Sequence, residues 1–184
     1  MTSLITRFIL PLLAILIIPV QAIAKDPIRI IEGVVVKVSD GDTINVQDAL
    51  GTKVKVRLYG IDAPETDKPN KPGQPYGESA WKDLNGKVFR KQVKLDVMDI
   101  DKYKRLVCIV YLNGKNINQE MVAEGLAWVY RKYLDRPHAS EYIALEKQAR
   151  SKGLGMWQQS NPEPPWEYRK MQKGEGVVKN HNAN

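Results

Sequence analysis

Asp42, Arg57, Asp62 and Glu65 set three carboxylates and one guanidinium within a short reach of a basic chain. That mixture suits metal-assisted chemistry on a phosphate, with oxygen ligands for a hard cation and a planar counter-charge for the phosphate. Asp40-Gly41-Asp42 taken alone is a hairpin turn, because aspartate and glycine are what such turns demand. In the functional reading Asp42, just past the turn, points a carboxylate at a cation. Asp62 ends an apolar strand beside Ile61, where a carboxylate without a partner or a metal would be costly. Pro64 restricts Ala63 to extended geometry and so fixes the direction of the Ala63 carbonyl. Asp42, Asp62 and the Ala63 carbonyl make a hard oxygen site, with calcium as its natural occupant and magnesium or manganese as competitors. Two histidines, His138 and His181, and one cysteine, Cys108, offer too little for a transition-metal site.

Glu65 follows Asp62 by three residues, close enough for both carboxylates to face one pocket; without its neighbours it reads as an exposed loop glutamate. Arg57 lies in a strand between Val56 and Leu58 and faces away from them, either as a solvent-facing residue or as a fixed cation at the barrel surface. A bidentate guanidinium there suits a phosphate whose oxygens gain charge during displacement. Arg105 opens a later strand just after a hairpin, where a second cation can reach the same phosphate or serve only the hairpin. Tyr103 and Tyr130 are candidates to stack on or hydrogen-bond a nucleotide, whereas Trp128 reads as core.

Positioning such a set requires a rigid scaffold, and the chain is long enough for one domain with a real core. Residues 28–58 alternate or cluster β-branched residues, broken at Ser39-Asp40-Gly41 and at 48–52, which predicts three antiparallel strands. Residues 67–75 hold three prolines and a glycine and read as an exposed loop. A helix follows over about 76–91, weakened by Gly86, then a hairpin of strands over 92–99 and 105–112. Asn113-Gly114 is a two-residue turn signal, and Asn118 is a cap for a helix over 119–124 stopped by Gly125. A last helix is expected over 137–152, starting with Pro137 and ending before Gly153. Three strands, a helix, two strands and further helices fit an α+β fold: a five-stranded Greek-key OB-type β-barrel with about three packed helices.

Two appendages flank the domain, which is expected over residues 25–158. Arg7, an apolar run over 8–20 and Ala22-Ile23-Ala24 have the form of a signal peptide over residues 1–24, short for a bilayer span, so export without stable membrane insertion is expected. The formal net charge of +7 loses only Arg7 on cleavage, and a basic exported domain accumulates around polyanions such as nucleic acid. Cys108, alone in L-V-C-I-V, reads as a buried strand residue. Residues 159–184 read as a proline-rich, polar tail without defined structure.

D-G-D-T, R-L-Y-G-I-D-A-P-E-T, Y-G, D-K-Y-K-R and E-G-L-A-W-V-Y occur in one order across residues 28–157, and this set resembles the thermonuclease (staphylococcal nuclease-like) family. The resemblance implies a monomeric OB-fold phosphodiesterase that cuts DNA and RNA with calcium, leaving 3′-phosphate ends. It implies further that Asp42 and Asp62 are the calcium carboxylates, that Ala63 supplies a carbonyl ligand, and that Arg57, Glu65 and Arg105 are the catalytic trio. Ala63 stands where the type member has threonine, but only its carbonyl is required. Lys104 stands where many relatives have glycine, which bears on the turn and on the aim of Arg105. The rival readings are a catalytically silent nucleic-acid-binding OB module and an anchored envelope protein whose barrel serves protein contacts. Against the first, clustered carboxylates would repel phosphates in the absence of a cation.

Overall fold

A computed structural model describes residues 26–181; the expected signal peptide lies outside them. Strands β1 (Arg29–Asp40), β2 (Thr43–Asp48) and β3 (Lys53–Leu58) form an antiparallel meander. A two-residue strand β4 (Ile61–Asp62) and helix α1 (Gly77–Val88) follow, then β5 (Gln92–Ile100) and β6 (Leu106–Leu112). The sheet order is β3-β2-β1-β5-β6, and β3 pairs with β6 in parallel, which closes five strands into a barrel. Closure depends on β1, whose first half pairs with β5 and whose second half pairs with β2. Gly33 lies where the two pairings overlap, and a Cβ there would meet the Gln47 carbonyl oxygen at 2.5 Å. Register shifts between Val35 and Lys37 and between Val38 and Asp40 then bend the strand, as bulges do at barrel corners.

Alternation fills the barrel: Val35, Ile44, Val46, Val56, Leu95, Val97, Cys108 and Val110 are fully buried, and α1 adds Ala80, Leu84 and Val88 to the same core. After β6, Asn113 and Gly114 both take positive φ, 51° and 79°, the conformation that an Asn-Gly hairpin turn requires. They lead into β7 (Lys115–Asn116) and α2 (Ile117–Ala123), with Gly125 in the left-handed region beyond the helix end. β8 (Trp128–Val129) pairs with β4, and α3 (Arg136–Ser151) and α4 (Pro165–His181) complete the order.

The α+β barrel is the architecture expected from the strand pattern. Two local expectations are corrected. The cap of α2 is Asn116, whose side chain accepts from the Gln119 N–H at 3.1 Å. Asn118 is instead fully buried: its amide donates to the carbonyls of Tyr59 and Cys108 and accepts from the Val110 N–H, all at 3.0 Å. It thereby ties the end of β3 to β6 where the barrel closes. The second correction concerns the tail: residues expected to lack structure form α4, a fourth helix in place of about three, starting at Pro165, whose fixed φ suits a first helical position.

Replacing Asn118 with Ala removes its bonds to the Tyr59 and Cys108 carbonyls and the Val110 N–H, of which the Cys108 carbonyl keeps the Tyr59 N–H at 2.7 Å, and we expect a loss of about 2–4 kcal/mol of stability in urea unfolding. Gly86 has open space at its Cβ position within α1; Gly86→Ala should raise the unfolding free energy in the same measurement by about 0.5–1 kcal/mol.

Candidate active site

The β1–β2 turn, the end of β3 and strand β4 meet at one mouth of the barrel. Gly41 makes the approach possible, since a Cβ there would lie 2.7 Å from the Ala80 Cβ and 2.8 Å from the Ala63 Cβ. The Asp42 carbonyl accepts from the Leu58 N–H at 2.9 Å, which locks the turn to the end of β3. Behind the next loop, a Cβ on Gly77 would collide with the Glu65 carbonyl oxygen, so the start of α1 is pressed against the segment that carries Glu65. Gln74 reinforces this contact: its N–H donates to the Glu65 carbonyl at 2.8 Å and its side-chain oxygen accepts from the Glu65 N–H at 3.1 Å.

Asp42 is 3% exposed and Asp62 0%. Arg57 binds both: Nη1 donates to Asp42 Oδ1 at 3.1 Å, and Nη2 lies 3.0 Å from Asp42 Oδ2 and 2.5 Å from Asp62 Oδ1. Of the two alternatives left open for Arg57, the fixed cation is the one observed. The Ala63 N–H and the Thr43 hydroxyl also donate to Asp42, at 3.0 and 2.9 Å. Burial works to raise the Asp42 carboxyl, but the Arg57 charge and these two hydrogen bonds hold it below the usual carboxylate range. Burial pushes Asp62 above that range in spite of its bonds to arginine, and the charge of Asp42 adds to the effect. Desolvation disfavours the charged form of Arg57, yet the two aspartates win and raise its pKa.

Glu65 lies at the rim, with Lys68 bridging it to Asp40 at 3.2 Å on either side. Its other oxygen, Oε1, accepts from Arg169 Nη1 at 2.7 Å. Arg169 also takes Asp62, with Nη1 3.1 Å from Oδ1 and Nη2 2.6 Å from Oδ2. This arginine of α4 was missed by sequence reasoning. The available signal was Pro165 followed by Trp166, Tyr168 and Arg169, a proline start with a polar and aromatic first turn, but nothing local says where such a helix docks.

Arg105 is not brought onto the carboxylates. Its Nε donates to Asp101 Oδ2 at 2.7 Å, and Asp101 Oδ1 accepts the N–H groups of Tyr103 and Arg105 at 2.9 and 3.0 Å. The strand it leads is nevertheless the right one, because Val107 pairs across from Arg57. Lys104 holds a positive φ of 62° in this turn, the conformation for which glycine is suited. Tyr103 is exposed, under the Arg105 guanidinium at 5.5 Å. Tyr130 stacks on Trp166, ring centroids 5.0 Å apart and 3° from parallel. Trp128 is buried as expected, edge-on to Trp157 and Trp166.

No group of three or more His, Cys, Asp or Glu forms a ready-made metal cluster among the described residues. The donor chemistry fits a hard cation all the same. Asp42 and Asp62 both place an oxygen around the single nitrogen Arg57 Nη2, and the ligands offered are oxygens only.

A sequence model of the staphylococcal nuclease homologue family matches residues 55–159. Staphylococcal-like nuclease CAN1 of Arabidopsis thaliana is 40% identical over 128 residues, 70% of this chain and 37% of its own. An uncharacterized endonuclease of Haemophilus influenzae is 38% identical over 120 residues, 65% of this chain and 62% of its own. Micrococcal nuclease of Shigella flexneri is 37% identical over 129 residues, 65% and 70% of the two chains. The chain therefore belongs to the staphylococcal nuclease homologue family. It spans under two thirds of the length of the Arabidopsis and Haemophilus proteins. Arg57, Asp62, Glu65, Arg105 and Tyr130 lie within the matched residues, and Asp42 and Arg169 lie outside them.

Lys104→Gly should relieve the left-handed backbone without removing a hydrogen bond. We expect it to stabilise the chain by up to about 1 kcal/mol in urea unfolding.

Proposed function

We propose that the chain is an exported, calcium-dependent endonuclease that hydrolyses DNA and RNA with little sequence preference and leaves 3′-phosphate ends. The observation that supports this reading best is the gathering of two buried carboxylates, Asp42 and Asp62, and Arg57 at one barrel mouth with Glu65 at its rim. A fold that served binding alone would have no physical reason to bury two anions where it must receive a third.

Held by Asp42, Asp62 and the Ala63 carbonyl, calcium would neutralise charge on the scissile phosphate and supply coordinated water. Glu65 orients or deprotonates the attacking water from the rim. Arg57 holds the equatorial oxygens as their charge grows, and Arg105, swinging off Asp101, serves the side nearer the leaving oxygen. Tyr103 and Tyr130 take the neighbouring base or sugar. Lys68, Lys71, Lys102 and Lys104 draw the strand in by charge, without reading bases. Magnesium or manganese are the alternative ions for the same oxygens. Export rests on the sequence of residues 1–24 and single-chain action on the resemblance.

The test is digestion of single-stranded DNA and RNA with calcium, with magnesium and with chelator, beside Glu65→Gln. Calcium-dependent cleavage that falls by at least about a hundredfold in the variant is expected. Tight, salt-sensitive binding without metal-dependent cleavage would leave a nucleic-acid-binding barrel instead.

A further inference from the structure

We propose that Arg169 is a built-in counter-ion of the site, which a divalent cation must displace from Asp62 and Glu65 before it can bind, so that cation loading releases the start of α4. The inference rests on the cation-dependent reading above. It starts from which oxygens are taken and by what. Arg57 comes from a barrel strand and holds both Asp42 oxygens and Asp62 Oδ1. The guanidinium on Asp62 Oδ2 and Glu65 Oε1 is that of Arg169, at 2.6 and 2.7 Å. These are one oxygen from the deepest carboxylate and one from the rim, gathered by a single group, so Arg169 occupies an oxygen of Asp62 that the cation needs and ties down Glu65 beside it.

The second argument is electrostatic. Asp40, Asp42, Asp62 and Glu65 face Arg57, Lys68 and Arg169, four carboxylates against three cations. Exchanging the single charge of Arg169 for a double one brings the cluster to neutrality, so a divalent cation has a reason to win the exchange. Without either, the four carboxylates would carry two more charges than Arg57 and Lys68 can offset.

The third argument is that the segment carrying Arg169 is held by a small number of separable contacts. Trp166 stacks on Tyr130, the Tyr168 hydroxyl and the Gln172 amide meet the Pro72 carbonyl at 2.9 and 3.0 Å, and Gln74 donates to the Glu163 carbonyl at 3.1 Å. Between this segment and the loop below lies a cleft of about 190 Å³ lined by Pro64, Gln74, Pro75, Pro162, Glu163 and Tyr168. The same segment covers the ring of Tyr130, so its release uncovers a stacking surface together with the carboxylates. Arg169 and its helix lie beyond the residues matched by the family model.

Calorimetric titration of the full chain with calcium, without nucleic acid, tests the proposal directly. Arg169→Gln should bind calcium at least about tenfold more tightly, the worth of one charge-assisted bond. Trp166→Ala, which removes the stack on Tyr130 and touches no carboxylate, should shift affinity in the same direction by less. Backbone amides of residues 166–172 should exchange faster as calcium is added, with the calorimetric midpoint. Unchanged or weaker calcium binding by Arg169→Gln, with calcium-dependent cleavage intact, overturns the counter-ion role alone. Absence of calcium binding by every chain overturns it together with the cation reading.

Discussion

The mouth of this barrel depends on one electrostatic constraint: Asp42 and Asp62 are buried side by side and neither can stay charged there without a guanidinium. Burying a carboxylate costs several kcal/mol that only close, well-directed partners offset. Arg57 meets the need because the β2–β3 register sets Thr43 across from Arg57, beside Asp42, while the short step from β3 to β4 brings Asp62 back onto the same guanidinium. Sequence distance is small, so the geometry of two strand ends is enough to fix the triad.

Everything larger in the fold keeps those strand ends in place. Parallel pairing of β3 with β6 closes the barrel beside Arg57, and Asn118 secures that closure by bonding backbone groups of both sides from the interior. Gly41 lets the turn approach Ala63 and Ala80, and Gly77 lets α1 approach the Glu65 carbonyl. Small residues at these two points convert the packing of α1 into a position for the acidic loop. Arg105 depends on a different anchor: Asp101 accepts both backbone N–H groups of the turn and the guanidinium itself, so the turn holds a positive φ at Lys104 without glycine.

What was legible in the sequence follows the same division between local and distant. Strand alternation predicted five barrel strands, and Asn113-Gly114 predicted a two-residue turn, observed with positive φ at both, because each depends on neighbours in the chain. That Asp62 needs a partner or a metal was legible from Ile61 beside it, whereas its pairing with Arg57 depends on how two strand ends meet and was not. Asn118 was misread because capping and burial demand the same residue type; its neighbour Asn116, two residues earlier, is equally able to cap, and only the barrel interior decides between them. Arg169 was invisible for a stronger reason. A helix packs where its side chains find partners, and the partners of Arg169 are more than a hundred residues away.

Arg57 and Arg169 make chemically similar contacts, yet their placement gives them different parts. Arg57 stands in a strand bonded on both edges, to β2 and β6, so it moves only if the barrel opens, and its charge is a permanent part of the site. Arg169 stands on a helix tied to the barrel by Trp166, stacked on Tyr130 and edge-on to Trp128, and by a few hydrogen bonds to loop carbonyls, so it can withdraw without opening the strand pairing. An acidic site that must accept a cation faces a conflict, because the charges that bind the ion destabilise the fold in its absence. A fixed arginine answers half of that conflict, and a removable one answers the other half without filling the site permanently.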